Sequence, residues 1–301
     1  MTRPLIASLL GSAPVAMAMD YAHAHLSAEL PGGFEAAQRG GAMTAAVERF
    51  TVQRGVAVVP VRGLLTFNNP MLERYLGWTT YVGLIETMTD LARNPDVASV
   101  VLEGDSPGGF VTGLDAAAQA VAECAAVKPV HGLVSPLAAS GGYWLLSQAT
   151  DISMTPGSVV GSIGIVVNAS APMQPDSEGD QTFVLTSTHA RAKRPDPTTD
   201  LGRAELQRSL DEAEAQFHAV VAAGRGIPIE DLAARLSVTD DPRDGGATFA
   251  PADAIARGLA DQAETRAAFY DRVFGTYASK PRTTASRGYA ARAAAALAAT
   301  L

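Results

Sequence analysis

Two kinds of hydrophobic pattern alternate along this 301-residue chain. Short unbroken apolar runs, bounded by glycine or proline, read as buried strands, and stretches with apolar residues every three or four positions read as helices. Gly55 to Leu65 is rich in β-branched residues and predicts a buried strand leading into a loop. Tyr81, Leu84, Ile85, Met88 and Leu91 mark one face of a helix from Tyr81 to Arg93, which Asn94-Pro95 stops. Val97 to Leu102 predicts a short strand, Gly104 to Gly109 a glycine-rich turn, and Leu114 to Val127 an alanine-rich helix. The unit then repeats as strand Pro129 to Val134, turn Ser135 to Ala139 and helix Ser140 to Gln148. Two such units in succession imply parallel strands joined by right-handed crossovers, with both turns at the carboxyl ends of neighbouring strands.

The flanking segments are less regular. Thr66 to Thr80 has no clear period and reads as a surface excursion. Gly157 to Val167 is a glycine-punctuated loop running into a strand, where close backbone approach to an extended substrate chain is expected. A polar stretch, Pro172 to Gln181, precedes a strand from Thr182 to Leu185 and a loop from Thr186 to Pro197. Leu206, Leu210, Ala213, Phe217, Val220 and Val221 form a stripe on a helix from Thr199 to Ala223, suited to core or to a subunit contact. Ile229 to Leu236 predicts a short helix, and Ala252 to Leu259 another that closes the domain at Asp261.

These patterns divide the chain into an N-terminal helical arm (1–50), a main domain (51–275) and a basic, alanine-rich tail (276–301). Met1 to Ala18 has an apolar middle and an Ala-Met-Ala ending that imitates a signal-peptidase site. Pro4, Gly11, Ser12 and Pro14 interrupt it, and it is too short to span a membrane, so a peripheral helix with no stable membrane anchor fits better.

Composition narrows the classes. With 23 Lys and Arg against 31 Asp and Glu, the formal charge of −8 argues against a nucleic-acid partner held on a broad basic surface. The single cysteine, Cys124, excludes an internal disulfide framework and sits in a helical pattern as a small buried hydrophobe. A reducing, cytoplasmic setting is compatible with this, and no metal or other cofactor is called for.

The stretch Leu137 to Trp144 carries the candidate chemistry. Ser140 lies between small residues and the Gly141-Gly142 pair, so its hydroxyl is open to a substrate and backbone amides can approach a developing oxyanion. A turn or a helix N-cap is the other reading of Ser-Gly-Gly, and both stand on this stretch alone. Parallel topology brings the Gly108-Gly109 turn beside Ser140, an arrangement suited to acyl transfer.

A serine needs a base. Lys128 falls at the opposite end of its strand and Lys280 in the tail, which leaves Lys193, flanked by Arg191 and Arg194, and its rival His189. A lysine base must be neutral near pH 7, so its pKa must fall by about 3 from the ordinary value; otherwise Lys193 is one more solvated cation. His131, inside a strand, and His218, beside Phe217, read as packed or solvated residues.

Asp105-Ser106-Pro107-Gly108-Gly109, Ala139-Ser140-Gly141-Gly142-Tyr143-Trp144 and Gly161-Ser162-Ile163-Gly164 resemble, in this order and spacing, the motifs of the S49 peptidase family. The likeness runs from about Gly55 to Asp261. It implies an α/β fold of the ClpP/crotonase type, with parallel strands joined by helices, and a Ser-Lys dyad of Ser140 and Lys193. The oxyanion would be held by backbone around Gly108, Gly109 and Gly141. One departure stands out: Ala190-Arg191-Ala192 precedes Lys193 where the family's lysine follows a Gly-x-x pattern.

The resemblance is nearest to the head-maturation branch, which implies a scaffold or capsid protein as substrate and a homo-oligomer; separately, the run Ala293 to Ala296 suggests self-cleavage in the alanine-rich ends. A peptidase of membrane-released signal peptides, an acyl-CoA enzyme of the same fold and an inactive shell component are the alternatives.

Overall fold

A computed structural model of the chain describes residues 5–9, 13–29, 48–171, 174–175 and 183–277. The tail beyond 277, the polar stretch 176–181 and the expected alanine-rich cleavage sites near Ala293 lie outside these residues.

The strands are β1 (Val15–Met17), β2 (Thr51–Gln53), β3 (Val56–Leu65), β4 (Ser99–Phe110), β5 (Val130–Ala139), β6 (Asp151–Met154), β7 (Val159–Gly161), β8 (Thr248–Phe249) and β9 (Gln262–Ala263). The helices are α1 (Met19–Leu26), α2 (Pro70–Leu76), α3 (Tyr81–Arg93), α4 (Leu114–Val127), α5 (Gly141–Leu146), α6 (Asp200–Arg225), α7 (Ile229–Leu236), α8 (Pro251–Ala256) and α9 (Arg266–Tyr277). The sheet runs β2-β3-β4-β5-β6-β9, parallel along this path except for the antiparallel edge strand β2, and β1 and β8 add antiparallel to β4 and β7. This is the α/β class expected from the repeated strand-turn-helix pattern.

Alternation along the strands sends side chains to two layers. Ala57, Val59, Val100, Leu102, Val130 and Val134 meet α3, α4 and α5 in the main core. Val56, Val101 and Leu133 point to the other face, where Phe269 and Val273 of α9 cover them. Thr80 caps α3 by accepting from the Gly83 amide at 3.1 Å, and its buried stripe is Tyr81, Leu84, Met88 and Leu91, as expected.

Several expectations are corrected. The Gly104 to Gly109 segment is not a turn, because β4 runs unbroken to Phe110 and pairs with β3 as far as Gly109. Ser135 to Ala139 is likewise strand: β5 leaves β6 after Val134 and pairs with β7 from Leu137 to Ala139. Glycine-rich runs lack the side chains that normally advertise a strand, so the ladder was hidden. Thr66 to Thr80 contains α2, capped by Asn69, with Met71 and Leu72 buried in a second cluster. Phe183 to Leu185 forms no strand; Phe183 and Leu185 are exposed. The stripe on α6 is buried only around Phe217 and Val221, while its N-terminal half is largely solvated.

The largest correction is at the N-terminus. Val15 to Ala18 is not part of a peripheral helix; β1 is buried and joins the sheet at the end of β4.

Candidate active site

Ser140 sits between the end of β5 and the start of α5. Its backbone has φ +52° and ψ −120°, a conformation that side chains other than glycine rarely adopt. Two bonds hold it there: its amide donates to the Gly161 carbonyl at 2.7 Å, and its carbonyl accepts from the Trp144 amide at 2.9 Å. A strained serine on a strand-to-helix turn is the geometry of a nucleophile elbow. The hydroxyl does not cap α5. It is buried, and no group among the described residues hydrogen-bonds to it. An unpaired buried hydroxyl is costly, and a substrate carbonyl is one group that would meet it.

Gly108, Gly109 and Gly141 converge beside it. A Cβ added at Gly108 would lie 2.8 Å from the Gly141 nitrogen, and one added at Gly141 would lie 3.3 Å from the Gly109 nitrogen. Gly108 has φ +105°, and its own amide is already engaged, donating to Ser106 Oγ at 3.1 Å. Ser106 Oγ in turn donates to the Gly63 carbonyl at 2.7 Å. The amides of Gly109 and Gly141 are therefore better placed than that of Gly108 to receive an oxyanion. Ser106 ties the end of β4 to β3, a role the sequence did not single out.

Packing fixes α5 against the sheet. A Cβ on Gly142 would stand 3.0 Å from the Ser106 carbonyl oxygen, a contact so tight that a larger residue would push the helix a few tenths of an ångström off β4. Tyr143 is fully buried and donates to the Leu259 carbonyl at 2.8 Å, and burial raises its phenol above the ordinary value. Trp144 stacks on Phe217 with ring centroids 4.3 Å apart. On β4, burial pushes the Glu103 carboxyl up, but hydrogen bonds from Arg266 and Tyr270 outweigh it and hold the group below its ordinary value.

The candidate bases stand elsewhere. Lys193 ends a short 3-10 turn (Arg191–Lys193) ahead of α6, and both it and His189 are exposed. Neither is hydrogen-bonded to Ser140. Lys128 donates from Nζ to the Asn94 carbonyl, and Lys280 lies outside the described residues. His131 is held by Asp151 at 2.5 Å and by the Tyr277 hydroxyl at 3.1 Å, the structural role expected of it. Cys124 is buried and free. Among the described residues, no cluster of three or more His, Cys, Asp or Glu could hold a metal ion, and no helix is long and apolar enough to cross a membrane.

What the sequence missed is β1. It lies in the groove formed by the end of β4 and the segment around Val166, directly against the three glycines. The alternation of small and larger residues in Val15-Ala16-Met17-Ala18 was the available signal, masked by its resemblance to a leader sequence.

Comparison with known proteins places this geometry in context. The model of peptidase family S49 matches residues 122–274. The capsid assembly protease C of Escherichia phage lambda is 30% identical over 217 residues, covering 71% of this chain and 47% of that protein. The head-tail preconnector protein GP5 of Enterobacteria phage P21 is 26% identical, covering 74% of this chain and 43% of its own length. Protease 4 of Haemophilus influenzae is 27% identical, covering 72% and 34%. The chain thus spans less than half the length of each of these relatives. A solved enoyl-CoA hydratase/isomerase family member superimposes with a TM-score of 0.41 at 20% identity, covering 77% of each chain.

Proposed function

The chain belongs to peptidase family S49, and from that premise we propose that it is a serine endopeptidase whose nucleophile is Ser140 and whose general base is Lys193. The observation that carries the nucleophile is the strained, buried and unpaired Ser140 hydroxyl beside three converging glycines. In the proposed reaction Ser140 Oγ attacks the scissile carbonyl carbon while its proton passes to Lys193 Nζ. The oxyanion of the tetrahedral intermediate is received by the Gly109 and Gly141 amides, with Gly108 allowing close approach. Collapse breaks the peptide C–N bond, the leaving amine takes the proton from Lys193, and water then hydrolyses the acyl-enzyme by the same route.

For Lys193 to serve, its Nζ must reach the Ser140 hydroxyl, to which it is not hydrogen-bonded within the single chain. Arginine in its place would not replace it, because a guanidinium does not give up its proton in proteins. The proposed substrates are scaffold or capsid proteins of an assembling phage head, a reading supported by the names of two relatives. The family relative named Protease 4 favours a second reading, cleavage of other cellular peptides.

The experiment is hydrolysis of small-residue peptides and of candidate scaffold protein by wild type, Ser140→Ala, Lys193→Ala, Lys193→Arg and His189→Ala. Loss of about 10³-fold or more is expected in the first three variants and little change in the last. Activity that survives Lys193→Ala and falls in His189→Ala would overturn the dyad. Scaffold protein left intact while unrelated peptides are cut would favour the second reading.

A further inference from the structure

The segment Val15 to Ala18 is hydrogen-bonded along both edges. On one edge the Ala18 amide donates to the Pro107 carbonyl at 2.8 Å and the Pro14 carbonyl accepts from the Val111 amide at 3.3 Å. Ala16 pairs with Gly109 between them. On the other edge Val15 and Val166 exchange both backbone bonds, each at 3.0 Å. A peptide added between two strands of a receptor has this pattern.

Its register against the candidate site is specific. The Ala16 carbonyl oxygen is the atom nearest to an added Cβ at both Gly108 (2.0 Å) and Gly141 (3.2 Å), so it points among the glycines proposed to receive the oxyanion. Side chains alternate accordingly. Ala16 is fully buried in the main core, and Ala18 packs on Leu137 and Ala139, immediately before Ser140. Val15 and Met17 turn the other way, into a cluster with Ile6, Ala22, Leu64 and Leu72. The two residues facing the site are the smallest that still carry a side chain.

We infer that Val15 to Ala18 is an intramolecular occupant of the peptide-binding groove, seated as a substrate strand would be, and that the chain as folded here is a self-masked form. A peptide substrate must displace this strand before its own carbonyl reaches the glycines. This inference rests on the assignment of Ser140 and its glycines as the peptidase site.

The test uses the full chain in two forms. Val15→Cys/Val166→Cys places a disulfide across a hydrogen-bonded antiparallel pair, whose Cα spacing of about 5.5 Å suits one. Val15→Asp/Met17→Asp puts charge into the neighbouring apolar cluster and expels the strand without touching the glycines. Labelling of Ser140 by a fluorophosphonate should fall at least 10-fold when the cysteine pair is oxidised, recover on reduction, and rise at least 10-fold over wild type in the aspartate variant. Equal labelling of the oxidised and reduced forms would overturn the masking.

Amide hydrogen exchange at Val15, Ala18 and Val166 decides occupancy without needing a reactive serine, and it also covers an aspartate variant that fails to fold. Slow exchange in wild type, accelerated at Val15 and Ala18 by acetyl-Pro-Val-Ala-Met-Ala-amide while Val166 stays protected by the incoming peptide, supports the inference; fast exchange without peptide overturns it. Absence of labelling in every form, with the exchange result intact, would fault the nucleophile and leave the seated strand standing.

Discussion

The Ala16 carbonyl oxygen occupies the space that a side chain at Gly108 would need. An added Cβ would stand 2.0 Å from it, and the obstructing atom is backbone, which no rotamer change moves aside. The φ of +105° at Gly108 adds conformational strain for any other residue. Gly108→Ala should therefore cost about 2–4 kcal/mol if β1 stays seated. Gly157, at φ +79° with nothing within 4 Å of an added Cβ, isolates the conformational part, and Gly157→Ala should cost about 1 kcal/mol. Urea titration of the two variants checks the difference; equal costs would mean that Ala16 does not press on Gly108.

Ser140→Ala should remove activity and raise stability together. The wild-type hydroxyl is buried without a partner, a state that costs about 1–3 kcal/mol. Its removal should lift the melting temperature by a few degrees while hydrolysis falls by about 10³-fold or more. Calorimetry beside an activity assay reads both. A lower melting temperature would show that the hydroxyl has a partner in solution.

Tyr143→Phe tests how firmly α5 is tied to the closing element. The lost phenol leaves the Leu259 carbonyl without its 2.8 Å donor in a buried site, at a cost of about 1–2 kcal/mol. A shift in urea midpoint with an unchanged slope is the expected result.

Glu103 predicts a pH dependence of stability. Its carboxyl is held below the ordinary value of 4.5 in the folded state. Its charged form therefore stabilises the fold fully above that value, and the contribution disappears as pH falls through the lower folded value. Glu103→Gln should lower stability at pH 7 by about 1–2 kcal/mol, a modest figure because the Arg266 side chain is 55% exposed. The gap from wild type should close as pH falls below 4.5 and through the lower folded value. Melting curves between pH 3 and 7 check the sign, and a gap that widened in acid would refute it.

The sequence carried the parallel α/β core well, because apolar runs and helical stripes are local signals that burial merely uses. Helices α3, α4 and α7 span the residues that their apolar patterns mark. Ser140, Gly108, Gly109 and Gly141 were legible too, since small residues in three motifs are visible without coordinates, and the structure brings these four together. Lys193 was named by elimination and resemblance, and in the fold it stands apart from the serine. A flexible cation on a polar loop leaves no periodicity that reports where it points.

By itself, then, the chain determined its class, its strand and helix order, and the family of its motifs, because each depends on residues close together along the chain. Only the tertiary structure decided that the glycine runs are strand rather than turn, and that Val15 to Ala18 lies in the groove beside Ser140. Those are pairings between segments separated along the chain, from Leu137 with Val159 to Val15 with Val166, set by backbone hydrogen bonds that nearly every residue can make. What selects one pairing is the fit of small side chains such as Ala16 and Ala18 into space the rest of the fold leaves open.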